Sequence, residues 1–374
     1  MSKKVLLTAT VQSHICQFHR PLVEMLHQHG CEVHVAARNN LTEKNGLKLD
    51  FAEKVYEVPF SRSPKSKDNI QAYKALKKTI ENENYDIIHC NTPMGGIVTR
   101  LAARKARRNG TKVIYTAHGF HFYKGAPKKN WMVFYPIERL FTRFTDKLIT
   151  INRQDYALAS KKFSLDTYYI HGVGVNECRY YAVSEEEKKK MRIEMGYGAD
   201  QKIILCIGEL LPNKNQVMAI LMMCNLCKTY PNAVLLLAGN GPEKEHLEQE
   251  IIRTRMQEHV KMLGYCTSLE KYQQIADVLV SCSKREGLPL NIVEAMLSEN
   301  PVVATKNRGH CELIQEGENG YLVAVNDVEA MEESVRILLE NPEKMAQMGK
   351  KARIFAKQYG FATVKKELEE IYFG

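Results

Sequence analysis

The feature that most constrains this chain is a regular alternation of short β-rich runs with helix-length amphipathic segments, repeated nearly from end to end. The first series of runs is "KVLLTAT", "EVHVAA", "DIIHC", "KVIYTAH" and "KLITI", separated by helical periodicity at 16–29, 69–83, 94–108, 130–143 and 153–162. This alternation predicts a parallel α/β sheet, because a parallel strand pair needs a crossover and a helix supplies it. "YYIHGVGVNECRYY" reads as a connection, and a charged segment at 184–194 follows it. A second series then starts afresh with "KIILCIGE", "AVLLLAG", "VKMLG", "DVLVSCS", "PVVAT" and "GYLVA". A chain of 374 residues exceeds what one core usually fills. The expectation is two doubly wound domains, 1–178 and 179–357, with the carboxyl ends of both strand sets facing a central cleft.

Composition narrows the classes. Hydrophobic residues make up 44% and charged residues 26%, which is ordinary for a folded domain and argues against disorder. No run approaches the roughly 18 apolar residues of a spanning helix, and the apolar core of "MSKKVLLTATVQSH" is too short for a signal peptide. A cytoplasmic location is expected. The ten cysteines are scattered, several within strand-like runs, and form no secreted-type framework. Cys224 and Cys227 form a C-x-x-C inside the helical pattern "QVMAILMMCNLCKTY" with no second ligand pair nearby, so helix packing is preferred to zinc.

Two carboxylates stand eight positions apart in "EGLPLNIVE", Glu286 to Glu294. Gly287 permits a sharp corner after the strand, and Pro289 suits the first turn of a helix running to about Ser298. The amino end of that helix, with its unpaired N–H groups and positive dipole end, is a site for phosphate. Glu286 in the preceding loop and Glu294 in the second turn would border one pocket, and Glu294 would be a bidentate acceptor for ribose hydroxyls.

"EGLPLNIVEA" followed by "NPVVATKNRGHCELIQEGENGYLV" resembles the signature region of the family 4 retaining glycosyltransferases, which have the GT-B fold and an E-x7-E motif. The resemblance extends through "LCIGELLPNKNQ", "LLLAGNGPEKEHLE" and "VKMLGYCTSLEKYQQIADVLVSCS", and back to "VIYTAHGFHFYKGA" and "DKLITIN". It covers nearly the whole chain in order, and the amino-terminal half is most similar to bacterial enzymes of capsule, exopolysaccharide or lipid-linked oligosaccharide synthesis. The resemblance implies two Rossmann-like domains, an acceptor side at 1–178 and a nucleotide-sugar side at 179–357. It also implies that a helix at 358–374 packs back on the first domain.

The same resemblance implies roles. Glu294 matches the ribose-binding acid and Glu286 the acid beside the donor sugar. Backbone amides of Gly287, Leu288, the neighbours of Pro289, and Leu290 would hold the diphosphate, with Lys214 of "PNKN" neutralising it as the leaving group departs. Gly208, Gly241, Tyr265 and Cys266 fall on the donor side, the last two beside the base. His118 of "TAHGFHF" matches the histidine near the reacting centre, while His121 is packing or acceptor-side. Ser13 and His14, in the early loop "TATVQSHICQFHRP", are placed to contact donor or acceptor. That loop is no dinucleotide fingerprint, since no G-x-G-x-x-G follows the first strand. "AGNGPE" is, on its own, a tight turn. One departure is Glu209, which stands where relatives often carry arginine after Gly208; an acid cannot clamp phosphate, so it receives no catalytic role.

The implied reaction is transfer of a hexose or N-acetylhexosamine from a UDP-sugar, with retention, to a polyprenyl-linked or saccharide acceptor. No cofactor is expected, and the absence of an Asp-x-Asp loop predicts metal independence. The net charge is +10, and nine Lys and Arg with no acid lie between Arg100 and Lys129. The following segment mixes Trp131, Phe134, Tyr135, Leu140 and Phe141 with Lys128, Lys129, Arg139 and Arg143. It suits peripheral contact with an anionic membrane, or equally a core-packed helix with solvated bases. Nucleic-acid binding lacks a recognition module. Two other readings stay open: a UDP-sugar 2-epimerase, and a non-catalytic sugar-nucleotide-binding partner of a glycosylation complex.

Overall fold

Among the residues described by the computed structural model, 2–43 and 47–374, thirteen strands form two wholly parallel sheets. The chain divides into two units, one comprising residues up to Gly174 together with Phe361–Gly374, the other Val175–Gly360.

The first unit holds β1 (Lys4–Val11), β2 (Glu32–Arg38), β3 (Lys54–Glu57), β4 (Ile87–Asn91), β5 (Lys112–Ala117), β6 (Lys147–Thr150) and β7 (Asp166–Tyr169) in the order β3-β2-β1-β4-β5-β6-β7. The inner strands are apolar on both faces because helices cover both, so Val5, Leu6 and Leu7 are all fully buried. Strand order reverses between β1 and β4, whose register pairs Val5 with Ile87 and Thr8 with Cys90. The carboxyl ends flanking such a reversal are where ligands lie in doubly wound sheets.

The second unit holds β8 (Lys202–Ile207), β9 (Ala233–Ala238), β10 (Val260–Gly264), β11 (Val278–Ser281), β12 (Val302–Thr305) and β13 (Gly320–Val323) in the order β10-β9-β8-β11-β12-β13. Its reversal lies between β8 and β11, which pair Val278 with Ile204. All six are the strands expected from the second series. The charged segment is a helix, Glu185–Glu194. Its Arg192 and Lys188 reach the buried Asp277 at 2.8 and 3.0 Å, and Asp277 also accepts from the Ile203 amide. The C-x-x-C lies in the helix Gln216–Thr229, and all ten cysteines are free thiols.

Three local expectations are corrected. The early loop is largely helical, Gln12–Phe18, and the helix expected at 16–29 begins instead at Arg20, ending at Gln28. Pro21 explains the break at His19, because its ring would clash with the carbonyl four residues earlier. The segment 94–108 is two helices, Pro93–Ala102 and Arg104–Arg108. The edge strands β3 and β7 escaped the sequence reading, and β7 takes the first residues of what reads as connection. Both are four residues long and largely unburied, so neither carries an apolar run.

Candidate functional site

In the second unit the loops at the carboxyl ends of β8 and β11 carry the charged groups. Lys214 Nζ donates to Glu286 Oε1 at 2.7 Å, a half-buried pair that joins residues 72 positions apart. The loops are tied by backbone as well: the Lys284 amide donates to the Asn213 carbonyl, and Asn213 Nδ2 donates to the Arg285 carbonyl at 2.9 Å. Gly208 lies under the Lys214 stem, whose carbons approach to 3.4 Å of where a Cβ would stand. At Gly241 a Cβ would come within 2.3 Å of the Leu210 carbonyl oxygen. This glycine lets the turn after β9 pack on the loop after β8, a packing duty visible without any ligand. The Glu209 carbonyl accepts from Gln216 Nε2 at 3.1 Å.

The helix after the Gly-Leu-Pro corner is Leu290–Leu297, with Pro289 at the cap position and no side chain capping its amino end. Asn291 Nδ2 donates to the Ile207 carbonyl at 2.9 Å, which fixes that end beside the end of β8. Glu294 hydrogen-bonds Tyr180, with Arg179 near by. Burial pushes its carboxyl up to about 7 despite the lowering effect of Tyr180 and Arg179. The two acids of "EGLPLNIVE" thus sit in unlike surroundings, Glu286 in an ion pair with Lys214 and Glu294 among Tyr180 and Arg179. Tyr265 is exposed at the end of β10, and the Cys266 thiol is raised by burial.

The sequence reading missed the loop after β12. Asn307 Oδ1 accepts from the amides of Gly309 and His310, opening the short helix Arg308–Leu313, while its Nδ2 donates to the Ser283 carbonyl. A Cβ at Gly309 would meet Glu286 Cβ at 2.7 Å, and Arg308 Nε donates to the Glu286 carbonyl at 3.3 Å. "TKNRGHC" therefore forms the wall against which Glu286 is set. Its signal was an asparagine before a glycine-containing helix start, which is an ordinary cap pattern.

In the first unit His118 follows β5, and its Nε2 lies 3.1 Å from Asn91 Oδ1 at the end of β4 and 3.3 Å from His14 Nε2. Burial lowers His118 to about 4 and holds His14 well below the usual imidazole range, with His118 adding to the effect, so both imidazoles are neutral. Ser13 is locked by Asn40, whose Oδ1 accepts from its amide and whose Nδ2 donates to its hydroxyl. His14 and Ser13 border a cavity of about 730 Å³ that continues past Thr92, Met94, Phe122 and Ile137. His121 stacks on Phe134 with ring centres 4.7 Å apart, on the wall of the same cavity.

The helix Lys128–Phe141 closes that cavity and is pinned inward by Glu138, which pairs with the buried Arg100 at 3.0 Å. Trp131 Nε1 donates to the Tyr123 carbonyl, and Phe141 is buried, so most of its aromatic side is packing. Met132 and Leu140 remain exposed, at 71% and 50%. Part of the basic run is likewise paired, Arg107 with Asp146 at 2.8 Å and Lys105 with Glu81 at 3.5 Å. No helix among the described residues is long and apolar enough to cross a membrane.

Two parallel doubly wound units, each with polar side chains gathered at the carboxyl ends beside its reversal point, define a two-domain α/β protein of the GT-B class. Known proteins agree. Residues 4–152 match the family described as "Glycosyl transferase 4-like", and residues 187–355 match "Glycosyl transferases group 1". The Bacillus subtilis (strain 168) protein named "Putative glycosyltransferase EpsD" is 41% identical over all of this chain and 97% of its own. The "UDP-Gal:alpha-D-GlcNAc-diphosphoundecaprenol alpha-1,3-galactosyltransferase" of Escherichia coli is 26% identical over 75% of this chain and 74% of its own. The Anabaena protein Alr3699/HepE, solved in complex with UDP, superposes with a TM-score of 0.78 over 99% of both chains at 21% identity. The chain belongs to this glycosyltransferase family, as the resemblance read from its motifs implies.

Proposed function

We propose that the chain transfers a hexose or N-acetylhexosamine from a UDP-sugar to a lipid-linked or saccharide acceptor in bacterial surface-polysaccharide synthesis, with retention. The observation that carries this reading is the 2.7 Å pair of Lys214 and Glu286 at the carboxyl ends of β8 and β11, beside the uncapped helix Leu290–Leu297. A leaving nucleoside diphosphate gathers negative charge as the C1–O bond stretches. A lysine in a half-buried site and the free amides at a helix start oppose that charge, so no metal is required for the step.

In this reading the diphosphate takes Lys214 and the amides of Gly287, Leu288 and Leu290, drawing Lys214 partly away from Glu286. Glu286 is then free to accept from the sugar hydroxyls. Glu294 accepts from the ribose, with Tyr180 orienting it. The acceptor oxygen forms its bond to C1 on the face the diphosphate leaves, and its proton passes to the departing phosphate oxygen. His118 lies on the acceptor side and, being neutral, can accept a hydrogen bond from the acceptor or the sugar.

Two relatives support the choice of substrates. The Escherichia coli enzyme's name specifies a UDP-sugar donor and a diphosphoundecaprenol acceptor, and the Anabaena protein binds UDP. A lipid-linked acceptor also gives the exposed Met132 and Leu140 a use, as contacts with the bilayer that carries it. The stereochemical test is NMR of the product from an α-linked donor, made in excess chelator. An α-linked product supports the reading, and a β-linked product or a requirement for added metal overturns it.

A further inference from the structure

Three histidines from separate segments converge in the first unit: His14 in the helix after β1, His19 at the break before Arg20, and His118 after β5. One ring nitrogen from each lies within 4.8 Å of the others. We propose that His14, His19 and His118 form a binding site for one divalent first-row transition-metal ion.

The geometry is close to that of such a site. Two imidazoles on a tetrahedral ion at metal–nitrogen distances near 2.0–2.1 Å stand about 3.4 Å apart, and His14 Nε2 and His118 Nε2 are 3.3 Å apart. His19 adds an independent observation. It is 3% exposed, and its Nε2 is a buried polar atom without a hydrogen-bond partner. Buried polar atoms are almost always paired, and one that is not calls for a ligand or another explanation. Its neighbour His89 is the contrast: both of its nitrogens are engaged, with Tyr372 and Thr116, and it has none to offer.

The donor set selects the ion. Three neutral imidazoles and no carboxylate suit Zn²⁺, Co²⁺, Ni²⁺ or Cu²⁺ and give Mg²⁺ and Ca²⁺ little to hold. Asn91 Oδ1, 3.1 Å from His118 Nε2, is within reach as a weak fourth donor or as the group displaced. His14 borders the 730 Å³ cavity, so a remaining position on the ion opens toward it. The ion is not needed for turnover. Because it would occupy His118, loading the site inhibits transfer; this consequence, unlike the site itself, rests on the function proposed above.

The test is binding to chelator-treated full-length protein, read without any activity. Titration with Co²⁺ is expected to give one equivalent with visible ligand-field absorption, discharged by Zn²⁺ and untouched by millimolar Mg²⁺. His14→Gln, His19→Gln and His118→Gln should each weaken binding at least tenfold, while His34→Gln, elsewhere in the same unit, leaves it unchanged. X-ray absorption of the Zn²⁺-loaded wild type needs no variant and should report three imidazoles. Substoichiometric binding, equal affinity in His19→Gln, or a shell without three imidazoles would overturn the proposal and leave the rings as a packing cluster. Co²⁺ binding with three imidazoles in a protein that transfers no sugar would uphold the site while removing the transferase reading.

Discussion

Glu294 shows how one residue's surroundings become a measurable pH dependence. Its carboxyl is raised by burial from an ordinary 4.5 to about 7, so the folded protein holds a proton there that the unfolded chain has released. Stability from this group is therefore full below about 4.5 and is lost as pH rises through about 7. Glu294→Gln, which cannot ionise, should gain in Tm over the wild type across that window and keep the advantage above it. UDP affinity should behave oppositely, weakening in the wild type as pH falls below 7 and becoming low and flat in the variant. A Tm difference independent of pH would contradict the burial argument. Glu286 and Glu294 were legible because they flank a glycine–proline corner whose local chemistry can be read, and Lys214 only through the resemblance of "PNKN" to the family motif. His19 and Arg308 were not, since their surroundings are made by segments distant in sequence, and Asn307 offered only an ordinary cap pattern.

Elements were read most reliably where burial on both faces forces a continuous apolar run. β8, β9, β11 and β12 are of this kind; the edge strands β10 and β13 are only partly buried yet keep enough apolar residues to be read, whereas the edge strands β3 and β7 have no fully buried residue and left no signal. The helix Glu185–Glu194 shows the limit of composition: it reads only as a charged segment, and composition does not reveal that Lys188 and Arg192 turn inward to Asp277. Burial alone would raise Asp277, but Lys188 and Arg192 hold it below the usual carboxylate range. Asp277→Asn leaves two cations nearly buried without their counter-charge and should cost about 3–5 kcal/mol in denaturant unfolding; a loss below about 1 kcal/mol would show that water reaches the pair. For the helix Lys128–Phe141, the double change Met132→Asp with Leu140→Asp should leave Tm within a few degrees and reduce co-sedimentation with anionic vesicles severalfold. Unchanged sedimentation would remove the membrane part of the account.

At the scale of the whole molecule, the chain leaves its first unit at Gly174 and returns to it at Phe361. The returning helix Phe361–Phe373 is bound by specific contacts: Tyr372 OH with buried His89 at 2.5 Å, Glu367 with His171, and Lys365 with Glu24 at 3.0 Å. Val364, Leu368 and Ile371 are buried beneath it. Deleting residues 361–374 should therefore lower the Tm of the first unit by ten degrees or more while leaving UDP binding by the second unit intact; an unchanged Tm would contradict this. The repeat of one α/β pattern within a long chain made the two-unit architecture legible, because each series had to close its own sheet. The return of the last helix follows from packing across more than 200 residues, which no local pattern encodes.

The central claim, that the Lys214–Glu286 pair of the second unit drives sugar transfer, is tested most directly by release of nucleoside diphosphate. Wild type and Lys214→Ala would be compared across UDP- and GDP-sugars, with and without an extract containing polyprenyl-linked saccharides. The account predicts release from one UDP-sugar, increased by the extract, and at least a hundredfold slower in Lys214→Ala at unchanged fold. Nucleotide binding without release from any donor, or release that survives the loss of Lys214, would contradict it.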